Sequence, residues 1–301
     1  MPSLSEYRTK IKSVQSTQQI TKTLKMIAGV RLARAQKQVQ DSAYYSKGLQ
    51  QLLFGLATPQ FISDHAQKPE AGAWLRFFEA YGPARAEPAV NMGLLVITSD
   101  KGLCGGFNTV ILRRAVETLR CLKAGRVSLF LLGRKAQEHF RRLGMIAEKE
   151  YSLAGFPSVN DAATAIAADI AGWYARNGRA QVDVICNEFK SVIKQQVVQR
   201  RLLPIAAPDA QPGAGAAKIL FEPQADELVR NLLPQYVQSQ VFRAVQESLS
   251  AECAARMNAM DNASKNAQEL IESFTLTMNK MRQGIITREL TEIVGTSEAL
   301  K

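Results

Sequence analysis

The part of this sequence that most suggests chemistry is a glycine-rich segment, SDKGLCGGFNT, at residues 99–109. A strand is predicted before it and a helix after it, and glycines at such a junction can hold a phosphate on backbone amides. No Lys-Ser or Lys-Thr pair follows Gly106, however, so the segment does not match the phosphate-binding loop. The spacing of Gly102, Gly105 and Gly106 also differs from that of the dinucleotide-binding fingerprint.

A structural role is the simpler interpretation of this glycine turn. Glycine reaches positive φ angles without steric cost, and a chain that leaves a strand to enter a helix often needs such a residue. We therefore expect Gly102, Gly105 and Gly106 to serve backbone geometry. Asn108 or Thr109 is expected to be the N-cap of the following helix.

Candidate catalytic and metal-binding residues are sparse. The two histidines, His65 and His139, fall in a predicted loop and on a basic helix, where a surface role is the ordinary one. Cysteines are isolated and form no C-x-x-C pair, which argues against a zinc site or a disulfide framework. Glu289 and Glu292 lie one helical turn apart on a helix without a predicted pocket. The sequence thus predicts no catalytic residue, no metal and no cofactor.

Charge is distributed unevenly along the chain. The formal net charge is +11 and the pI is about 9.6. Residues 1–57 hold nine Lys or Arg against two acids, a net of +7, whereas residues 226–301 hold eight against ten, a net of −2. The basic first segment has three interpretations: a solvated face, a nucleic-acid-binding surface, or a cationic rod inside an acidic protein collar.

Proline placement indicates the elements that carry these residues. Apart from Pro2, the prolines fall between Pro59 and Pro234, which leaves residues 3–57 and 235–301 free to form long helices. Apolar residues recur in each segment at alternating steps of three and four, an imperfect heptad seam rich in small residues. Two such seams at opposite ends of one chain predict an antiparallel coiled coil.

The middle of the chain has a different pattern. Strands are predicted at 92–98, 127–132 and 181–186, with a further one at 191–203. Helices are predicted at 109–123, 134–144 and 161–177. This alternation favours an α/β domain with mostly parallel strands, Rossmann-like in character, whereas 57–91 and 204–225 are predicted connections. We expect no signal peptide and no membrane-spanning helix, because the apolar runs are too short.

Three motifs, in this order along the chain, resemble those of F-type ATP synthase gamma subunits. The first is the run RTKIKSVQSTQQITKTLKM at 8–26, the second is SDKGLCGGFN at 99–108, and the third is RQGIITRELTEIV at 282–294. The third motif departs from the family at Thr296 and Ser297, where Gly-Ala is usual. We take this departure to indicate a divergent branch of the bacterial type.

The resemblance implies a rotating shaft without a catalytic site of its own. Residues 1–58 and 210–301 would form the coiled-coil shaft inside a head of alpha and beta subunits, and 59–209 would form an α/β foot domain. The foot would meet the epsilon subunit and the membrane c ring, on the cytoplasmic face of a bacterial inner membrane. Ion-driven rotation of the ring would turn the shaft and cycle the beta subunits. The expected contacts with the head are Arg8, Lys10, Leu24, Arg282, Gln283, Thr287, Glu289 and Glu292.

Two other classes remain to be distinguished. A coiled-coil nucleic-acid-binding protein would explain the basic first segment but needs a stacking surface or a phosphate loop, which the sequence does not supply. An α/β nucleotide enzyme would rest on residues 102–106 alone. The coupling ion, proton or sodium, and the physiological direction of turnover are left open.

Overall fold

The computed structural model describes residues 3–58, 61–62, 72–78, 91–121, 126–177, 180–192, 194–205 and 224–299. Its helices are α1 (Leu4–Leu56), α2 (Gly72–Leu75), α3 (Phe107–Cys121), α4 (Arg134–Arg142), α5 (Val159–Arg176) and α6 (Ala225–Ala299). Its strands are β1 (Asn91–Ile97), β2 (Arg126–Leu132), β3 (Lys149–Tyr151), β4 (Ala180–Phe189) and β5 (Gln195–Leu203). A 3₁₀ turn covers Leu153–Gly155. Most of the two predicted connections lies outside the described residues.

The chain divides into two compact units. One consists of Met1–Val30 with Arg256–Lys301, and the other of Arg31–Ala255. The domain limits expected from the sequence, at residues 58 and 210, stay a prediction.

The first unit contains a pair of antiparallel helical segments. The Tyr7 ring meets the Phe274 ring edge-on with centroids 6.0 Å apart, and Gln18 Nε2 donates to Gln268 Oε1 at 2.8 Å. Farther along α1, Lys25 Nζ lies 2.5 Å from Asp261 Oδ1. Residues later in α1 therefore contact residues earlier in α6, which confirms the antiparallel arrangement predicted from the two seams.

The second unit is built on a five-stranded sheet with the order β3-β2-β1-β4-β5. The first four strands are parallel and β5 runs antiparallel to β4. β1 reads NMGLLVI, a nearly continuous apolar run, as expected for a strand covered on both faces. The predicted α/β class with mostly parallel strands is confirmed.

Each face of the sheet carries its own core. Side chains alternate between the faces of a strand, so Leu95 and Ile97 enter one core and Leu94 and Val96 the other. The larger core also takes residues from α5 and from both long helices: Leu49, Leu53, Ile166, Ile170, Val229, Leu233, Val241 and Val245. Both long helices are thereby anchored in the α/β unit. The smaller core is closed by α3 and α4.

Three sequence predictions need correction. α6 begins at Ala225 and not at 235, so Pro234 lies inside the helix. Proline removes one helical hydrogen bond, but burial of Val229, Leu233 and Val237 around it keeps the segment helical. β3 was not predicted, because three residues are too few to show a periodicity, and the last strand begins at Gln195 and not at 191.

Thiol cross-linking tests the antiparallel pairing in the first unit. With Cys121 and Cys253 replaced by Ser, the pair Gln18→Cys and Gln268→Cys should be joined within one chain by a short bismaleimide, because the amide groups at the ends of these two side chains meet at 2.8 Å. The control pair Gln18→Cys and Lys280→Cys is displaced by roughly 18 Å along the helix and should not close. Non-reducing electrophoresis distinguishes the two, and cross-linking of the displaced pair alone would contradict this register.

Candidate functional site

The glycine turn is held together by side chains at its two ends. Asn108 Oδ1 accepts the Ser99 N–H at 3.0 Å, and Asn108 Nδ2 donates to Ser99 Oγ at 2.8 Å and to Cys104 Sγ at 3.2 Å. Because α3 begins at Phe107, the expected N-cap role of Asn108 or Thr109 is wrong. The Asn108 side chain instead ties the start of α3 back to the end of β1.

The carboxylate of Asp100, within the same turn, occupies the start of a second helix. Asp100 Oδ1 accepts the Arg134 N–H at the beginning of α4 at 3.0 Å, and Asp100 Oδ2 accepts the Ser152 hydroxyl at 3.0 Å. Helix N-termini attract anions through their free amides and their dipole. At the start of α4 the chain supplies that anion itself, through Asp100.

The three glycines of the turn differ in backbone geometry. Gly105 has a φ of 57°, in the left-handed region, and the neighbouring Leu103 has a φ of 64°. At Gly102 and Gly106 an added Cβ would meet no atom within 4 Å. The geometric reason for a glycine is therefore present at Gly105, while the other two positions have room for a side chain.

Gly133 is a structural glycine that sequence reasoning missed. It follows β2 with a φ of 98°, and an added Cβ would lie 2.3 Å from the Thr98 carbonyl oxygen. The close approach arises because the Thr98 N–H donates to the Leu132 carbonyl at 2.8 Å, which draws the ends of β1 and β2 together. The sequence signal was available, since Gly133 stands between a predicted strand and a predicted helix.

The helix α6 covers part of one face of the sheet. Ala251 of α6 is fully buried in the same core as Val96, Ile185 and Phe107. A small side chain from the long helix thus packs directly into the smaller core of the α/β unit.

The expected head contacts on α1 all lie in the first unit. Arg8 and Lys10 are exposed, and Lys10 Nζ sits 5.7 Å from the centroid of the Tyr7 ring. Leu24 is half-buried, next to Lys25, whose ammonium is bound to Asp261. Hydrogen bonds from Lys25 and then Lys265 hold the pKa of the Asp261 carboxyl below its usual value.

The expected contacts at the end of α6 are exposed without exception. Every residue from Arg282 to Ser297 is exposed, including Arg282, Gln283, Thr287, Glu289 and Glu292. The Thr287 hydroxyl donates to the Gln283 carbonyl at 2.9 Å, and Arg288 Nε lies 3.5 Å from Glu292 Oε1. Apolar side chains share this stretch at 41–64% exposure: Ile285, Ile286, Leu290, Ile293 and Val294. A contiguous apolar surface of this kind is typical of an interaction site.

The remaining candidates do not assemble into a site. His139 packs edge-on against Phe140 on α4, and His65 lies outside the described residues. Within the described ranges, no cluster of His, Cys, Asp and Glu is arranged to hold a metal ion. Nor does any helix in those ranges combine the length and apolar character needed to cross a bilayer.

These features define a structural subunit with surfaces for other chains, and comparison with known proteins identifies the family. The sequence profile of the ATP synthase family matches residues 3–300. The ATP synthase gamma chains of Pelotomaculum thermopropionicum and Anaeromyxobacter sp. (strain Fw109-5) are 35% and 39% identical, with 100% of each chain covered. This chain belongs to the ATP synthase gamma-chain family.

A solved structure shares the fold. A chain of the Euglena gracilis mitochondrial ATP synthase (OSCP/F1/c-ring, rotational state 3) superposes with a TM-score of 0.64 at 18% identity. The alignment covers 99% of this chain and 94% of the other. The likeness extends to both long helices as well as to the sheet.

Substitution of Gly133 tests the junction between β1 and β2. Gly133→Ala should lower the free energy of unfolding by roughly 2–4 kcal/mol, because the new Cβ meets a backbone carbonyl at a strained φ angle. Gly102→Ala is the matched control and should change stability by no more than about 0.5 kcal/mol. Thermal unfolding followed by circular dichroism measures both, and equal losses would contradict the geometric argument.

Proposed function

We propose that this chain is the central rotor shaft of an F-type ATP synthase and has no catalytic site of its own. The observation that carries the proposal is the uncovered end of α6, from Arg282 to Ser297, in a chain that matches the family from residue 3 to residue 300. This end of α6 exposes five large apolar side chains, which is typical of a surface that binds another protein. The alpha and beta subunits of the catalytic head bind there.

The shaft acts by biasing an equilibrium among conformations of the beta subunits. A ligand or partner shifts such an equilibrium only through contacts that differ between the states. The antiparallel pair exposes basic side chains such as Arg8 and Lys10 and apolar side chains such as Ile20 and Met26. Rotation would therefore bring different chemistry to each beta subunit. Successive orientations then drive each beta subunit through open, loose and tight states.

Electrostatics supports a contact between the first helix and an acidic partner. Residues 1–57 carry a net charge of +7, and Arg8 and Lys10 are exposed near the start of α1. Opposite charge increases encounter rates and orients partners, and it contributes less to raw affinity. Together with the half-buried Leu24, these residues form the proposed contact of α1 with the head.

Residues 59–209, which contain the sheet, form the proposed foot domain of the shaft. Its partners are the epsilon subunit and the c ring of the membrane sector, and the chain is peripheral on the cytoplasmic face of a bacterial inner membrane. Support comes from relatives that are bacterial gamma chains and from a fold shared with a c-ring-containing assembly. A nucleic-acid-binding function has no support in these comparisons.

The activity of the isolated chain is the first test. Purified alone, it should not hydrolyse magnesium-ATP, because its glycine turn is closed by its own side chains. Mixed with the alpha and beta subunits of the same enzyme, it should restore a rotary ATPase. Hydrolysis by the chain alone, free of contaminating subunits, would rule out the shaft function.

A double substitution tests the contact at the end of α6. The guanidinium of Arg282 and the amide of Gln283 can make directional bonds to a beta-subunit loop in one rotary position. Arg282→Ala with Gln283→Ala should leave folding and assembly intact. ATP-driven ion pumping should fall roughly tenfold, because the free energy lost is that of about one charge-assisted hydrogen bond. Thr287, Glu289 and Glu292 form the rest of this proposed contact. Glu292 is expected to contribute less, because Arg288 already pairs with it.

The matched control lies on the same helix. Asn279→Ala with Lys280→Ala removes an exposed amide and an exposed cation just before the proposed contact, and it should leave pumping unchanged. If both double variants pump, synthesise and hydrolyse like the wild-type complex, Arg282 and Gln283 form only a solvated face.

A further inference from the structure

Glu247 is a charged residue of α6 that is almost entirely buried. Its exposed fraction is 6%, on a stretch of helix that buries apolar side chains such as Ala244 and Val245 and the neutral polar side chain of Gln246. A glutamate is rarely buried to this extent unless its carboxylate is paired. Its position therefore requires an explanation in terms of specific partners.

Two arginines hold the two oxygens of this carboxylate. Arg200 Nη1, from β5, donates to Glu247 Oε2 at 2.9 Å, and Arg243 Nε, one turn earlier on α6, donates to Glu247 Oε1 at 2.8 Å. Arg200 also donates through Nη2 to Glu188 Oε1 at 2.9 Å. One guanidinium thus joins a carboxylate of the long helix to a carboxylate at the end of β4.

The pKa of Arg200 reflects the charges around it. Burial by itself lowers this pKa, but Glu247, Cys186 and Glu188 together outweigh burial, and the net effect raises the pKa above its ordinary value. The nearby Cys186 lies in β4, where burial raises the pKa of its thiol to about 12. Arg200 is therefore a permanent cation beside the buried side chain of Glu247.

Such a pair constrains the helix in a way that apolar contacts do not. Hydrophobic packing is non-directional, so a helix held by alanine and valine alone can rotate or slide by small steps at little cost. Charge-assisted hydrogen bonds to two oxygens have preferred directions and lengths. They define both the height of Glu247 along α6 and the direction in which it points from the helix axis.

We propose that Glu247 is the positioning residue that fixes the rotational setting of α6 against β5, so that torque on the α/β unit passes to the helix without slip. The proposal rests on the shaft function described above. Arg200 is the strand side of this connection, and Arg243 and Glu188 hold the two central groups in place. All four residues belong to the unit formed by residues 31–255.

The experiment uses the complete ATP synthase complex in sealed vesicles. Two variants weaken the connection with little change in size: Glu247→Gln removes the charge, and Arg200→Lys keeps the charge but loses the two-pronged donor geometry. Glu138→Gln is the matched control, since Glu138 is an exposed acid of α4 paired with Lys135. For each complex, ATP hydrolysis and ATP-driven ion uptake are measured with and without an opposing ion gradient.

The expected result is a loss of coupling under load. Without an opposing gradient, the rate of ATP hydrolysis should stay within about twofold of the wild-type rate. Against a gradient, the number of ions moved per ATP should fall about threefold or more in both variants. The Glu138→Gln complex should keep the wild-type ratio. If Glu247→Gln fails to assemble, the Arg200→Lys complex carries the same test, because Arg200 is only partly buried.

A third variant separates positioning from stability. Glu247→Leu with Arg200→Met replaces the central pair by apolar side chains, a change that often preserves or increases stability. It should melt near the wild-type temperature and still couple poorly. Recovery of the full pumping ratio in this variant, or a normal ratio in both single variants, would overturn the proposal. By contrast, a wild-type chain that supports no ATPase with alpha and beta subunits would overturn the shaft function itself.

Discussion

The common core of the α/β unit, into which both long helices are anchored, is the interaction on which the rest of this structure depends. Leu49, Leu53 and Leu56 at the end of α1 and Val229, Leu233 and Val237 near the start of α6 are buried with the apolar side chains of the sheet. Burial of each such side chain contributes about 1.5–3 kcal/mol. Within the α/β unit, the end of α1 and the beginning of α6 therefore share one apolar core.

Directional polar contacts also connect the two long helices, in each of the two units. Within the α/β unit Gln246 donates to Gln38 at 3.1 Å, and in the other unit Lys25 binds Asp261. The seam itself is rich in small residues, which allow close approach but specify register weakly. Polar groups in such a seam restrict the pairing to the arrangement that satisfies them. In a protein that transmits torque, the register and rotational position of the two helices matter more than a small gain in the free energy of unfolding.

The α/β unit shows how a ligand-binding architecture can serve a structural purpose. Asp100 caps α4, Asn108 closes the glycine turn, and Ala251 of α6 packs in the core on one face of the sheet. Side chains of this chain therefore fill the polar positions around the turn and join the sheet to its helices.

The local pattern of the sequence determined the elements, and only the tertiary structure determined the contacts between distant residues. Apolar periodicity and proline placement predicted the long helices, the strands β1, β2 and β4, and the antiparallel pair, because these signals arise within a few residues of one another. The start of α6 at Ala225 and the short β3 were missed, because burial by the rest of the chain overrides local preference there. Glu247 illustrates the limit most clearly. Its pairing with Arg243 could be read from their spacing of four on one helix, but Arg200 lies on a strand far away in sequence, and only folding brings its guanidinium to the buried carboxylate.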